Sequence, residues 1–135
     1  MVTYPLLVID PQKIEHNTGQ IAALLAKEGL RLVGVAKGAA ANLDVIKAMI
    51  KGGAAAIGDS RIANLIRIRQ WGYRGETVLL RAPGLTRCAD AVTYADSSLN
   101  SEIVTVRRLG ESAVKMGQKH KVILMVDLGD LREGV

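Results

Sequence analysis

Short apolar runs alternate along the chain with longer amphipathic segments. The runs are rich in Val, Ile, Leu and Ala and cover residues 6–9, 31–37, 54–57, 77–81, 95–99 and 122–126. Continuous apolar runs of this length are typical of parallel strands that are covered on both faces. The segments between them carry apolar residues at helical spacing. The pattern therefore predicts about six strands and five helices in repeated βα units, an α/β fold with a parallel sheet.

Capping residues mark where the helices between these runs begin. Asp10 followed by Pro11 is a typical helix start, because an aspartate N-cap accepts hydrogen bonds from backbone N–H groups and proline fits the first helical position. Asn42 or Asp44 is expected to cap the second helix, and Ser60 the third. Capping alone explains Asp10 and Ser60, so neither residue needs a catalytic role.

Polar and glycine residues are concentrated directly after the apolar runs. They include Lys37, Arg81 and Asn100 and the stretches 58–61 and 127–132. The carboxyl ends of parallel strands lie at one edge of a sheet, where α/β proteins place their functional sites. We therefore expect these residues to form a single site.

Lys37 ends the second apolar run and is the first candidate for chemistry. A lysine that is partly shielded from water holds its proton less tightly, so its amine becomes a better nucleophile toward carbonyl compounds. The alternative is a strand-end lysine whose side chain simply extends into solvent. The residues at the other strand ends provide the further evidence needed to choose between these two interpretations of Lys37.

Charge and composition limit the classes of protein that fit. The chain of 135 residues carries a net charge of +5, and 49% of its residues are apolar. The basic residues are spread out without interleaved aromatics, which argues against nucleic-acid binding. No basic segment followed by a long apolar one begins the chain, and no apolar run is long enough to span a membrane. We expect a soluble, cytoplasmic domain.

Cysteine and histidine give no sign of a metal or redox centre. Cys88 is the only cysteine, which excludes an internal disulfide and a thiolate cluster, and we expect it to be a free, inert thiol. His16 lies on a predicted helix and His120 precedes a predicted strand, and neither has a partner at metal-ligand spacing. We therefore expect no metal site and interpret both histidines as structural or surface residues.

The predicted strands are too few for a closed barrel. A complete (β/α)8 barrel typically takes about 200 residues or more. Six predicted strands in 135 residues indicate an incomplete parallel barrel, of which residues 1–135 form the amino-terminal portion. Its edge strands would remain open, and open edges favour pairing with a second copy.

Four segments resemble one known family. VGVAKG at 33–38, IGDSR at 57–61, SLNSE at 98–102 and MVDLGDLREG at 125–134 are similar to the amino-terminal barrel of the alanine racemase superfamily, the fold-type III pyridoxal phosphate enzymes. The similarity is greatest to the alanine/ornithine racemase branch and extends over the whole chain in order and spacing. The rest of that barrel and the family's carboxy-terminal β domain lie beyond residue 135.

The resemblance also implies roles for single residues. Lys37 matches the lysine that holds pyridoxal 5'-phosphate as a Schiff base and acts as a base at the substrate α-carbon. Arg132 matches an arginine near the cofactor or the substrate carboxylate, and Arg61 and Arg81 are cofactor-binding candidates that follow strands. Asn100 either points into the mouth of the barrel, as a cofactor contact, or caps its helix. The family's phosphate-binding turns and opposite-face base lie beyond this chain.

Three functions are compatible with these patterns. The first is an amino-acid racemase, acting for instance on ornithine, whose parent protein would be a homodimer or higher homo-oligomer and whose amino-terminal fragment would be inactive alone. The second is a single-domain protein that binds pyridoxal phosphate for homeostasis without racemase activity. The third is a non-catalytic half-barrel that self-assembles. We favour the racemase because Lys37 matches that family's cofactor lysine.

Overall fold

Five parallel strands form one sheet, and their order in the sheet is their order in the chain. The computed structural model describes residues 6–129, 131 and 133–135. Arg132, one of the predicted site residues, lies outside the described residues. Consecutive order is typical of barrel-type α/β folds, whereas doubly wound sheets reverse their strand order at a switch point. The predicted class, an incomplete parallel α/β barrel, is confirmed.

Helices separate consecutive strands. The strands are β1 (Val33–Val35), β2 (Ala56–Asp59), β3 (Glu76–Leu79), β4 (Ser97–Asn100) and β5 (Lys121–Leu124). The α-helices are α1 (Pro11–Ala26), α2 (Leu43–Lys51), α3 (Ile62–Gln70), α4 (Cys88–Tyr94) and α5 (Ile103–Lys115). Short 3-10 turns, Lys37–Ala39 and Leu85–Arg87, follow β1 and precede α4. Across the described part of the chain, no helix has the length and apolar character needed to cross a membrane.

The first predicted strand does not form. Residues 6–10 have no regular secondary structure, and Leu6, Leu7 and Val8 are 56%, 74% and 79% exposed. An apolar run becomes a strand only when a neighbouring strand takes up its backbone hydrogen bonds. None of the described strands pairs with this run, so the sheet has five strands where the sequence pattern indicates six.

Two helix starts agree with the capping predictions. Asp10 caps α1, because its Oδ1 accepts hydrogen bonds from the N–H groups of Gln12 at 3.0 Å and Lys13 at 3.2 Å. Asn42 caps α2, and its side-chain oxygen accepts a hydrogen bond from the N–H of Asp44 at 2.9 Å. Asp44 is therefore the first-turn residue and Asn42 the cap. Both caps satisfy N–H groups that no hydrogen bond within the helix reaches.

The core lies between the sheet and the helices. Ile57 of β2 and Leu79 of β3 meet Leu65 and Ile68 of α3 and Leu109 of α5, and none of these side chains is more than 2% exposed. Burial of a large aliphatic side chain contributes about 1.5–3 kcal/mol. This layer therefore holds α3 and α5 against one face of the sheet.

The opposite face of the sheet is open along its two edge strands, β1 and β5. Val33, Val35 and Ile123 are 37%, 42% and 46% exposed. They line an open cavity of about 300 Å³. The expectation that both faces of the strands are covered holds for β2, β3 and β4, whose residues are nearly all buried, and is wrong for the edge strands β1 and β5, which have a neighbouring strand on one side only.

Arg69 of α3 connects the amino ends of β3 and β4. Its guanidinium donates hydrogen bonds to the carbonyls of Tyr73, Gly75 and Tyr94, to the Thr77 hydroxyl and to the Asp96 carboxylate. The bond to Asp96 is 2.7 Å long, and the same carboxylate oxygen accepts the N–H of Thr77 at 2.7 Å. The Arg69 side chain is 18% exposed and that of Asp96 is 44% exposed, so the bonds of Arg69 to the carbonyls and to Thr77 are better shielded from water than its bond to Asp96.

Arg69→Met is expected to lower the free energy of unfolding by about 3 kcal/mol. Hydrogen bonds to charged groups contribute about 1.5–3 kcal/mol each, and the partial exposure of Asp96 reduces their sum. Chemical denaturation followed by circular dichroism measures the change.

Arg67→Met, two residues earlier on α3, is the matched control. Its exposed guanidinium makes one hydrogen bond of 3.4 Å, to the carbonyl of Ala40, so we expect a change below about 0.5 kcal/mol. Equal losses in the two variants would contradict the structural role assigned to Arg69.

Candidate functional site

The carboxyl ends of the strands bring most of the predicted site residues to one edge of the sheet. Lys37 follows β1, Arg61 follows β2 and Arg81 follows β3. Asn100 is the last residue of β4. Because all neighbouring strands are parallel, these four positions lie at the same edge. Arg132 is not among the described residues, and the binding roles of all five stay predictions.

Lys37 is exposed and opens the 3-10 turn directly after β1. Its amine makes no hydrogen bond or ion pair with any described residue. The expectation of an amine partly shielded from water is wrong for this chain, because β1 is an edge strand whose outer face is open to solvent. An accessible, unpaired primary amine remains a suitable partner for a carbonyl compound.

The backbone around Lys37 is fixed on both sides. Ala36 donates its N–H to the carbonyl of Gly58 on β2 at 2.9 Å, and its own carbonyl accepts the N–H of Ala41 at 3.1 Å. Ala40 and Ala41 have left-handed backbone conformations, with φ of 49° and 53°. Such a conformation costs about 1–2 kcal/mol for a residue with a side chain, and strain of this kind clusters at functional sites. The turn that carries Lys37 is therefore held in one strained shape.

A buried carboxylate shapes the turn after β2. We expected Ser60 to cap α3, and this is wrong: its hydroxyl makes no hydrogen bond with the described residues. Asp59 is fully buried, and its Oδ1 accepts hydrogen bonds from the N–H of Arg61 at 2.8 Å and from Nδ2 of Asn64 at 3.0 Å. The Arg61 side chain is exposed. Asp59 lies in the stretch 58–61 that we expected at the site, but Arg61 was the only residue of that stretch singled out as a binding candidate.

Asn100 is buried at the end of β4 and does not cap a helix. It is 1% exposed, and its Nδ2 donates to the carbonyl oxygen and to Oγ of Ser98, both at 2.9 Å. Helix α5 begins after Glu102 without a side-chain cap, so the capping alternative is wrong. The Oδ1 atom of Asn100 has no partner among the described residues. Its cofactor-binding role depends on that one oxygen and stays a prediction.

His120, the residue before β5, extends the hydrogen-bonded series that Asn100 and Ser98 begin on β4. Its Nε2 lies 2.8 Å from Oγ of Ser98. Burial lowers the pKa of His120, against smaller opposing effects from the carbonyl of Ala95 and the carboxylate of Asp96. The ring is therefore neutral near neutral pH, and of the two predicted roles for this histidine the structure supports the structural one.

Arg81 lies beside a small cavity at the same edge. With Ser60 and Gly84 it lines a space of about 120 Å³. The N–H of Leu80, the preceding residue, donates to the carbonyl of Asp59 at 2.9 Å. Arg81 is exposed and forms no ion pair with the described residues. An unpaired guanidinium beside a hydroxyl offers donors to an anionic group such as a phosphate or a carboxylate.

The described residues contain neither a cluster of metal ligands nor an exposed thiol. They contain no group of three or more His, Cys, Asp or Glu side chains arranged to hold a metal ion. Cys88 is buried at the start of α4, and burial raises the pKa of its thiol. A thiol of this kind stays protonated and reacts poorly. The amine of Lys37 and the guanidinium groups of Arg61 and Arg81 are exposed at the carboxyl edge.

These features define an α/β protein of the barrel type, with a candidate carbonyl-binding lysine after its first strand. The family model described as alanine racemase, N-terminal domain, matches residues 9–135. The chain belongs to this family, as the sequence resemblance indicated.

Two curated relatives are racemases. The chain is 40% identical to the ornithine racemase of Acetoanaerobium sticklandii, over 97% of this chain and 36% of that protein. It is 31% identical to the lysine racemase of Thermotoga maritima, over 99% of this chain and 38% of that protein. The chain thus spans little more than a third of the length of either relative.

Solved structures show the same fold. The alanine racemase from E. faecalis is 25% identical with a TM-score of 0.78, over 93% of this chain and 35% of that one. A D-threonine aldolase from Filomicrobium marinum has a TM-score of 0.82 at 18% identity, over 99% and 37%. PipY of Synechococcus elongatus PCC7942, solved without PLP, has a TM-score of 0.70 at 21% identity, over 87% and 57%. The last two similarities concern the fold alone.

Ala40→Gly is expected to raise the free energy of unfolding by about 1 kcal/mol, because glycine adopts the left-handed backbone without a clash from Cβ. Urea denaturation measures the gain. Ala39→Gly is the matched control: Ala39 lies in the 3-10 turn, where we expect glycine to cost about 0.5–1 kcal/mol. A loss of stability at both positions would contradict the strain assigned to this turn.

His120→Gln is expected to remove part of the pH dependence of stability. The lowered pKa of His120 lies below the unfolded value of about 6.5, so the unfolded chain binds a proton first as the pH falls. Stability should therefore decrease between about pH 7 and pH 5, and less so in the variant. Denaturation at both pH values tests this, with exposed His16→Gln as the control. A loss as large in the His120 variant as in the unmodified protein would refute it.

Proposed function

We propose that the whole protein is a pyridoxal phosphate-dependent amino-acid racemase and that Lys37 carries its cofactor. The observation that supports this most is the exposed, unpaired amine of Lys37, held by a strained turn at the carboxyl edge of the sheet. Family membership supports the class of reaction, and both curated relatives that match are racemases.

The residues at the carboxyl edge suit this cofactor. Pyridoxal phosphate, when bound, supplies an aldehyde that bonds to an amine and a ring that withdraws electrons from the substrate α-carbon. Lys37 Nζ would form the bond to the aldehyde carbon. Arg81, unpaired beside its cavity, would donate to an anionic group of the cofactor or substrate. Arg61, Asn100 and Arg132 are proposed as further cofactor contacts, with Arg132 near the cofactor or the substrate carboxylate.

Lys37 also has a role as a base in this proposal. Once the substrate amine has replaced it on the aldehyde carbon, the freed Nζ would remove the proton from the substrate α-carbon on one face and hold it. Inversion requires that a second group deliver a proton on the opposite face. We assign that group to a part of the whole protein beyond residues 1–135, in agreement with the family resemblance.

Residues 1–135 are, in this proposal, the amino-terminal portion of a (β/α)8 barrel. The chain spans 36% and 38% of its curated relatives, which leaves room in such proteins for further strands and another domain. The open apolar face formed by Val33, Val35 and Ile123 is a surface that additional strands would cover. A homo-oligomeric state and a cytoplasmic location, both implied by the resemblance, belong to the same proposal.

A basic amino acid is the proposed substrate, because the relatives act on ornithine and lysine. A second candidate function is cofactor binding for homeostasis without racemisation. The similarity to PipY fits this alternative, and the chain covers 57% of the PipY structure. The fold alone does not distinguish between these two functions, because a D-threonine aldolase has the same fold.

Incubation with pyridoxal phosphate followed by borohydride reduction is expected to fix a pyridoxyl group on Lys37. Reduction makes the bond between the amine and the aldehyde carbon permanent, and peptide mass spectrometry locates the modified lysine. Lys37→Ala should abolish the modification. Lys51, an exposed lysine that pairs only loosely with Glu15 at 3.9 Å, is the internal control. Equal labelling of Lys37 and Lys51 would contradict the proposal and favour the non-catalytic half-barrel.

Racemisation of ornithine by the whole protein, followed by chiral chromatography, separates the two cofactor-binding functions. The racemase proposal requires that Lys37→Ala lower the rate by about a hundredfold or more, as expected for loss of an acid–base group. Cofactor fixed on Lys37 without racemisation would favour the homeostasis function.

A further inference from the structure

Asp59 is a fully buried carboxylate to which the proposed mechanism gives no role. It is 0% exposed at the end of β2, and it forms no ion pair with the described residues. Its Oδ2 atom has no hydrogen-bond partner there either. Burial of a carboxylate without a cation is unfavourable, so packing alone does not account for an aspartate at this position.

The other carboxylate oxygen closes the turn between β2 and α3. Oδ1 accepts the backbone N–H of Arg61 at 2.8 Å and Nδ2 of Asn64 at 3.0 Å. Asn64 is itself only 8% exposed. The two donors come from successive parts of the turn and helix, so the carboxylate fixes the direction in which the chain leaves β2.

The backbone of the same dipeptide holds the ends of both neighbouring strands. The carbonyl of Gly58 accepts the N–H of Ala36, the residue before Lys37, at 2.9 Å. The carbonyl of Asp59 accepts the N–H of Leu80, the residue before Arg81, at 2.9 Å. Gly58 and Asp59 therefore anchor the backbone that leads to Lys37 and to Arg81, two of the unpaired cations at this edge.

Close packing at Gly58 makes this anchor sensitive to small movements. A Cβ at Gly58 would lie 3.0 Å from Cδ1 of Leu80 and 3.2 Å from Cγ1 of Val33. The β2 backbone thus runs tightly between the side chain of Val33 on β1 and that of Leu80, the residue after β3. Without the buried carboxylate to hold the turn, we expect a shift of β2 to pass directly to both neighbours.

We propose that Asp59 is a positioning residue, whose buried carboxylate holds the β2–α3 turn so that Lys37 and Arg81 keep the relative placement needed to accept one carbonyl compound carrying an anionic group. This inference rests on the proposed function and extends it to a residue that contacts neither cofactor nor substrate. Asp59 acts through the hydrogen bonds of Gly58 and of its own carbonyl.

Asp10 is a matched control for simple helix capping. Its Oδ1 accepts two N–H groups of α1, at 3.0 and 3.2 Å, in the same manner. Asp10 is exposed, however, and its contacts are confined to α1 and the residues beside it. Loss of a carboxylate that fixes the start of a helix should lower stability at both positions, whereas slower cofactor fixation on Lys37 should appear only at 59.

The experiment compares Asp59→Ala, Asp59→Asn and Asp10→Ala in the borohydride reaction with pyridoxal phosphate. Circular dichroism first establishes a temperature at which each variant is folded. We expect Asp59→Ala to lower the rate of cofactor fixation on Lys37 about tenfold or more, because small displacements of reacting groups cost at least that much. Asp59→Asn keeps an oxygen acceptor for the Arg61 N–H and should restore most of the rate, and Asp10→Ala should leave it unchanged.

Two results would overturn the inference. One is a folded Asp59→Ala variant that fixes cofactor as fast as the unmodified protein, and the other is an Asp59→Asn variant no faster than Asp59→Ala. If Asp59→Ala does not fold, Asn64→Ala, which removes one of the two donors, takes its place with the same expected direction.

Amide hydrogen exchange keeps this inference separate from the proposed function. Faster exchange of the Ala36 and Leu80 N–H groups in the Asp59 variants, and not in Asp10→Ala, supports the positioning role even if no cofactor binds. Unchanged exchange at both amides refutes it. Failure of the unmodified protein to fix any cofactor on Lys37 would refute the proposed function alone.

Discussion

Parallel hydrogen bonding between consecutive strands is the constraint on which the rest of this structure depends. Because every strand runs in the same direction, the residue that follows each one arrives at the same edge of the sheet. Ala36 extends the pairing beyond β1 through its bond to the carbonyl of Gly58, and Lys37 is the next residue along the chain. The placement of the candidate amine is thus a consequence of strand register rather than of contacts made by the amine itself.

The two edges of the sheet are built differently. At the amino edge the side chains of Arg69, Thr77 and Asp96 satisfy one another in a shielded hydrogen-bond network. The carboxyl edge contains two alanines with left-handed backbone and the buried carboxylate of Asp59 with an unpartnered oxygen. Barrel-type proteins commonly separate stability and function in this way. The hydrogen bonds of the amino edge and the burial of the core offset the free-energy cost of these features at the carboxyl edge.

Local sequence signals were sufficient for most of the sheet, because Val- and Leu-rich runs between helical segments have few other ways to be buried. Residues 6–9 carry the same signal and fail, since a partner strand is a tertiary property. Ser60 was the wrong cap because β2 extends to Asp59, two residues beyond the run that predicted it, and the Asp59 carboxylate holds the turn by accepting the N–H of Arg61. The exposure of Lys37 depends on what covers β1, which no local pattern encodes.

The open face formed by Val33, Val35 and Ile123 has a consequence for how the protein is made. While the chain is being synthesised, chaperones bind apolar surface that is exposed to water. Other partly synthesised copies of the chain can associate with the same surface. These competing encounters depend on concentration, whereas folding of the sheet does not. Rapid overproduction in a host cell should therefore divert this chain toward aggregates, and slow synthesis at low temperature should favour recovery of the native sheet.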